Sequence, residues 1–290
     1  MMRWRLLNIT APLLLSLLLT SCAANKDQVQ QQGQGGTPVQ HNTQKVEEQG
    51  ASRDQSVKSY LIKKYSNQSP TTWGEFIPGV HRRLHTNEKV IALTFDACGG
   101  PHGSGYDIDI INYLRQMNIP ATLFINSRWI DANYQTFMTL ARMPQFEIEN
   151  HGYLHKPLSV NGRSAWGIKG TVGVGQIVDE VAINQRKIEK LTGRAPQFFR
   201  SGTAFYDDIG VKIVGELGEK IVNYDVLGDA GATYTAAQVK HALLSAKPGS
   251  IVILHMNQPK GDTAEGLKLA IPQLIREGYH FCKLKEFPLQ

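Results

Sequence analysis

The sequence predicts an α/β fold: a parallel (β/α) barrel, expected as an incomplete one of seven strands. Two observations point there. Five short apolar runs each end at a polar residue able to do chemistry: 90–95 at Asp96, 146–150 at His151 and His155, 197–199 at Arg200, 221–224 at Asp225, and 251–254 at His255. The segments between them carry apolar residues at helical spacing, and a βαβα order argues for a parallel sheet. In a barrel of this kind the strand C-termini share one face, so residues distant in sequence meet there. Cys98-Gly99-Gly100-Pro101 after the first run is not a phosphate-cradling loop, which removes support for a nucleotide fold. Periodicity by itself does not separate the barrel from a doubly wound sheet.

Taken in order, 90–96 is continuously apolar up to its aspartate, as expected of a strand buried on both faces. Residues 106–117 place Ile108, Ile111, Leu114 and Met117 on one helical face, and Pro120 precedes a strand at 121–126. Asp131 is expected to cap a helix carrying Phe137, Leu140 and Met143. A long helix over 177–191 buries Val178, Val181, Ile188 and Leu191 and stops at Gly193. Further helices are expected at 207–217, 235–246 and 264–277, with strands at 221–224, 251–254 and 279–284.

The chain has 290 residues and 41% hydrophobic content, enough for one large domain with appendages. Arg3 and Arg5 precede an apolar run at 11–19, too short for a membrane span and suited to a secretory signal over residues 1–21. Leu19-Thr20-Ser21-Cys22 resembles the bacterial lipoprotein signal box, so Cys22 is the expected lipidation site. That implies an exported protein anchored to the cell envelope, at the outer membrane if the host has one; several acyl chains would hold it stably. Residues 22–55, rich in Gln, Gly, Asn and Thr, are expected to form a disordered tether. Residues 56–88 contain Tyr60, Leu61, Tyr65, Trp73 and Phe76 and are expected to pack on a domain spanning 89–290. The formal charge of +6 loses two units with Arg3 and Arg5 and forms no basic cluster, and no nucleic-acid motif is present.

His151 and His155 stand four apart, a spacing that on one helical turn brings two imidazoles together for a divalent metal. Asp96 ends the first strand with no evident capping duty, and two histidines plus a carboxylate or water make a zinc-type sphere with open positions. Lys156 to Gly175 is Gly-rich and carries Arg163 and Trp166; over the barrel mouth Trp166 would stack on a sugar, or simply pack. Tyr206 is the second aromatic expected at the substrate. Cys98 and Cys282 are expected as free thiols rather than a disulfide, and Cys98 lacks a dedicated base to act as a nucleophile.

From about Lys89 to Phe287 these residues resemble the polysaccharide deacetylases of carbohydrate esterase family four. The family's T-F-D-D-G is here Thr94-Phe95-Asp96-Ala97-Cys98-Gly99-Gly100, and its H-[ST]-x-x-H is His151-Gly152-Tyr153-Leu154-His155. The arginine motif is Phe199-Arg200-Ser201-Gly202, without the usual proline. The later motifs are Tyr224-Asp225, with Asp229 nearby, and the run 251–254 ending at His255. The resemblance implies the deacetylase type of barrel. It also implies a divalent metal, zinc above all, and hydrolysis of N-acetyl groups on a polysaccharide such as peptidoglycan or poly-N-acetylglucosamine. By the same resemblance Asp96 is the general base, His255 the acid that protonates the leaving amine, Arg200 the residue that orients Asp96, and Asp225 the partner of His255.

One position departs from the pattern. The second aspartate of the first motif ligates the metal in the family, and here it is Ala97. Three outcomes follow: another residue replaces it, with Asp107 preferred and His102 an alternative; or Asp96 ligates and Glu149 or a neighbouring acid is the base; or the metal is lost and the domain only binds glycans. An O-acetyl esterase on the same scaffold is a further reading.

Overall fold

The computed structural model describes residues 54–290. Cys22, the signal segment and nearly all of the expected tether lie outside those residues. Helix α1 (residues 54–65) buries Leu61 and Tyr65 against helices α5 (Gly173–Thr192) and α6 (Asp208–Glu216). Lys58 reaches Asp179 of α5 at 2.7 Å. A short antiparallel pair follows, β1 (Trp73–Gly74) against β7 (Tyr206–Asp207).

The main sheet is wholly parallel in its registered pairs. Its order is β2 (Val80–His81), β8 (Lys220–Val222), β6 (Phe198–Phe199), β5 (Phe146–Asn150), β4 (Ala121–Ile125), β3 (Val90–Ala97), β10 (Ser250–His255) and β9 (Val226–Leu227). β11 (His280–Cys282) pairs with the first half of β3, at Val90 to Ala92, while β4 pairs with its second half, from Thr94. The last strand therefore wedges into the lower end of the β3–β4 seam. The two edges of the curled sheet approach through a single bridge between Arg83 and Ser250 rather than a ladder. The result is a distorted, incomplete barrel of the deacetylase type. All seven expected strands are present; β2 and β9, two residues each, are too short to leave an alternation in the sequence.

Strand alternation divides the buried residues into two sets. Ile91, Leu93, Phe95 and Ala97 of β3 face outward and pack on α2 (Ile108–Gln116), α7 (Ala236–Leu244) and α8 (Thr263–Arg276). Val90 and Ala92 face inward with Phe124, Phe198, Val222 and Ile251. Thr94 and Asp96 continue that inward set toward the upper end. The helical caps follow local chemistry: Asp207 and Thr235 accept backbone N–H groups at the starts of α6 and α7, and Gly193 ends α5 in the left-handed region at φ 72°.

One expected cap is corrected. Asp131 lies inside α3 (Ser127–Ala132), where it pairs with Lys187 at 2.5 Å; α3 is capped by Asn126, and α4 (Tyr134–Ala141) follows from Asn133.

Candidate active site

Register assembles the site. His255 lies beside Asp96 across β10–β3, and Asn150 lies beside Ile125 and Phe199 across β4–β5–β6. The residues that end these strands, Asp96, His151, Arg200 and His255, are thus brought to one rim, as the barrel expectation required.

Arg200 is fully buried and fixed at every nitrogen. Its Nη1 donates to Asp96 Oδ1 at 2.8 Å and Thr94 Oγ1 at 2.9 Å, Nε to Val222 O at 3.0 Å, and Nη2 to Asn223 O at 2.9 Å. Its guanidinium lies 4.2 Å from the centre of the Phe124 ring. Burial disfavours a charged Asp96, but the Arg200 charge, His151, His255 and the Arg200 hydrogen bond outweigh it and hold the carboxyl below its ordinary value of 3.8. Asp96 is thereby kept ionised although it is buried.

The imidazole pair is built by a loop, not by the helical turn expected from the spacing. Gly152 at φ 78° and His155 at φ 61° are both left-handed, and the segment after β5 turns back on itself. Glu180 of α5 accepts the Leu154 N–H at 2.9 Å and the Lys156 N–H at 3.0 Å, while the Asn126 amide donates to His151 O and Gly152 O. The rings meet edge to face with centres 4.9 Å apart. His151 Nδ1 donates to Arg200 O at 2.9 Å, which leaves the Nε2 lone pair facing Asp96 Oδ2 at 3.7 Å and Cys98 Sγ at 3.8 Å. His155 Nε2 is buried and has no hydrogen-bond partner. Burial lowers the pKa of both rings, that of His155 well below 6.5, so both are neutral donors. Gly202 is required here: a Cβ would lie 2.4 Å from His155 Cγ.

Donor atoms of Cys98, His151 and His155 lie within 4.8 Å of one another, forming a possible metal-binding group. An orphaned buried imidazole nitrogen beside a second oriented one is the arrangement that a divalent cation satisfies.

His255 faces Asp96 from the neighbouring strand. Asp229 Oδ1 accepts its Nδ1–H at 2.8 Å, and Asp229 Oδ2 accepts its backbone N–H at 2.7 Å and the Thr263 hydroxyl at 3.0 Å. Burial opposes a charged ring, but the Asp229 charge and hydrogen bond, with Asp96 beyond, raise its pKa above 6.5. Asp96 and His255 line a cleft of about 300 Å³ walled by Glu75, Trp166, Thr203, Tyr224 and Leu227. Trp166 is 75% exposed and edges Phe205 at 5.9 Å, so it projects from the wall rather than filling a core.

Five expectations are corrected by these contacts. Asp225 does not hold His255; it accepts the Ser250 hydroxyl and the Ile251 N–H, both at 2.9 Å, and pairs with Arg83. Asp107 is not the replacement ligand, because its carboxylate caps α2 by accepting Asp109 N–H and Ile110 N–H at 3.1 and 3.3 Å. His102 is exposed and outside the donor group. Glu149 is no base at the rim; its buried carboxylate accepts the N–H groups of Gln197 and Phe198 at 2.8 and 2.7 Å. Tyr206 is not in the wall of the cleft that Asp96 and His255 line: its buried hydroxyl accepts Ser201 N–H at 3.0 Å and donates to Asn223 at 2.9 Å. Cys98 and Cys282 are both free thiols. Sequence reasoning missed Cys98 as a member of the donor group, and the missing signal was parity: it follows Asp96 by two, the period that returns a side chain to the same face.

The polysaccharide deacetylase family model matches residues 83–222. The chain is 25% identical over 201 residues to a bifunctional xylanase/deacetylase of Pseudobutyrivibrio xylanivorans, covering 69% of this chain and 30% of that protein, so it spans less than a third of that relative. It is 26% identical over 204 residues to a peptidoglycan-N-acetylglucosamine deacetylase of Bacillus cereus, covering 69% of this chain and 88% of that one. The fold matches that of a CE4-family pseudoenzyme of Bacillus anthracis with a TM-score of 0.61 at 23% identity, over 73% of this chain and 69% of that one. At that identity the likeness speaks for the fold alone. The match over 83–222 and the shared barrel make the folded part of the chain similar to the polysaccharide deacetylases.

Proposed function

We propose that this protein is a metal-dependent hydrolase that removes N-acetyl groups from amino sugars of a cell-wall or extracellular polysaccharide. The observation that carries the reading is the pair of opposed titrating groups in one cleft. Arg200 holds the Asp96 pKa below its ordinary value, and Asp229 raises that of its neighbour across the strand pair, His255, above its own. Environments that push two neighbouring groups apart in this way assign a base and an acid.

His151 and His155 would hold the cation, with zinc the expected metal. When bound, it supplies Lewis-acid polarisation of an acetyl carbonyl and acidification of water. Asp96 takes the proton of the attacking water through Oδ2, the oxygen that Arg200 leaves free. Arg200 keeps that carboxylate in place and in its basic form. His255 gives a proton to the nitrogen as the C–N bond breaks, because an amide nitrogen leaves poorly as an anion. Asp229 fixes the ring so that Nε2 is free to act. Trp166 offers a flat apolar face beside the cleft for a sugar ring.

The substrate class rests on the names of relatives, a peptidoglycan-N-acetylglucosamine deacetylase and a chitooligosaccharide deacetylase. Anchoring through a lipidated Cys22 at the bacterial envelope remains part of the proposal, resting on the signal-box resemblance alone. Incubation of the zinc-loaded protein with an N-acetylated chitooligosaccharide tests the reading. Equal release of free amine and acetate is expected, abolished by a chelator. Binding without release identifies a silent glycan-binding domain instead, and acetate from O-acetylated but not N-acetylated sugar identifies an esterase.

A further inference from the structure

The donor set supplies its own answer to the gap at Ala97. Ala97 is fully buried in the outward-facing core of β3, among the residues packed on the helices, and its methyl group points away from the histidines. Cys98 has the parity of Asp96 and of the inward-facing set. Its Sγ lies 3.8 Å from His151 Nε2 and within 4.8 Å of the donor atom of His155.

We infer that Cys98 is the third protein ligand of the metal, a thiolate standing in for the carboxylate that Ala97 lacks. The inference rests on the reading that the two histidines hold a cation. Zinc–sulfur and zinc–nitrogen bonds of about 2.3 and 2.0 Å at a tetrahedral angle separate their donor atoms by roughly 3.5 Å, close to the 3.8 Å between Cys98 Sγ and His151 Nε2. His155 Nε2, buried without a partner, completes the set. As the bond from Sγ to the metal forms, the thiol proton leaves to solvent, so the thiolate brings the same single negative charge that a carboxylate would. Cys282 is buried in β11 with the inward core residues below and is not available to pair with Cys98.

The consequence is a site of softer character. Two imidazoles, one thiolate and an open position favour zinc and cobalt(II) over magnesium, calcium and manganese, which prefer oxygen. The thiolate also ties metal occupancy to the chemical state of one cysteine: alkylation of Cys98 removes a ligand.

The test uses the full chain, stripped of metal and titrated with cobalt(II). A thiolate-to-cobalt charge-transfer band in the near ultraviolet is expected to grow to one equivalent. Cys98→Ser loses the band and binds at least about 100-fold more weakly, since losing a direct ligand costs no less than losing a group that merely orients one. Cys98→Asp restores affinity without the band. Since a variant can fail to fold, the wild-type protein gives a second readout: bound zinc protects Cys98 from iodoacetamide, located by peptide mass. Cobalt bound tightly with no charge-transfer band, and Cys98 alkylated at the same rate with and without zinc, overturns the assignment while leaving the histidine site standing. No binding at all overturns both.

Discussion

Asp229 fixes His255 twice, accepting the ring Nδ1–H at 2.8 Å and the backbone N–H at 2.7 Å. One carboxylate therefore sets the tautomer, orientation and charge of the proposed acid. Asp229→Asn removes the charge that offsets burial, so the His255 pKa falls. The acid form of His255 is then lost at lower pH, and the alkaline limb of the kcat/KM profile moves toward acid. At neutral pH turnover is expected to drop about 100-fold, the scale of a lost general acid. Asp225→Asn should leave the limb where it is, because Asp225 binds Arg83, Ser250 and Ile251 instead. Parallel pH–rate profiles of the two variants check this.

Arg200 and Asp96 form a buried ion pair. Removing one partner of such a pair costs about 3–5 kcal/mol because the other charge is left uncompensated. Arg200→Met should melt correspondingly lower at neutral pH. The folded pKa of Asp96 lies below its ordinary 3.8, so its contribution to stability is present above that value and fades as pH falls through the folded pKa. Without Arg200 burial dominates, the sign reverses, and the gap between variant and wild type narrows on acidification. Thermal melts from neutral pH to about pH 3 follow both trends.

Much of the barrel is legible from sequence because its central strands are long apolar runs closed by polar residues. β3, β4, β5 and β10 stand out for that reason. The errors cluster where elements are too short to have a period. β9 contains only Val226 and Leu227, and missing it placed the His255 partner one turn early, at Asp225 rather than Asp229. Side-chain capping left no separate mark either: Asp107 matched a ligand in type and location but serves the first turn of α2. The spacing of His151 and His155 pointed to two rings that do meet, but a glycine-led loop rather than a helical turn brings them together.

Glu180 anchors that loop through the N–H groups of Leu154 and Lys156, and burial raises its pKa to about 7. Glu180→Ala frees the segment carrying His155 and is expected to weaken zinc binding about 10–100-fold. Glu180→Gln keeps an acceptor oxygen and should retain most of the affinity. Competition titration against a chromogenic chelator compares them.

Trp166 stands out from the cleft wall and contributes little to the core. Trp166→Ala should change stability by less than about 0.5 kcal/mol. KM for an oligosaccharide should rise several-fold with kcat nearly unchanged, as expected of uniform binding energy. Steady-state kinetics on tri- and pentasaccharides separate the two constants.

The most direct test is single-turnover release of amine from an N-acetylated chitooligosaccharide by the zinc-loaded wild type, alongside His151→Ala and His255→Ala. Stoichiometric amine from the wild type, none from the metal-site variant and strongly slowed release from the His255 variant are expected. Zinc-loaded, folded wild-type protein that releases no amine, or a His151→Ala variant that releases it at the wild-type rate, would contradict the account.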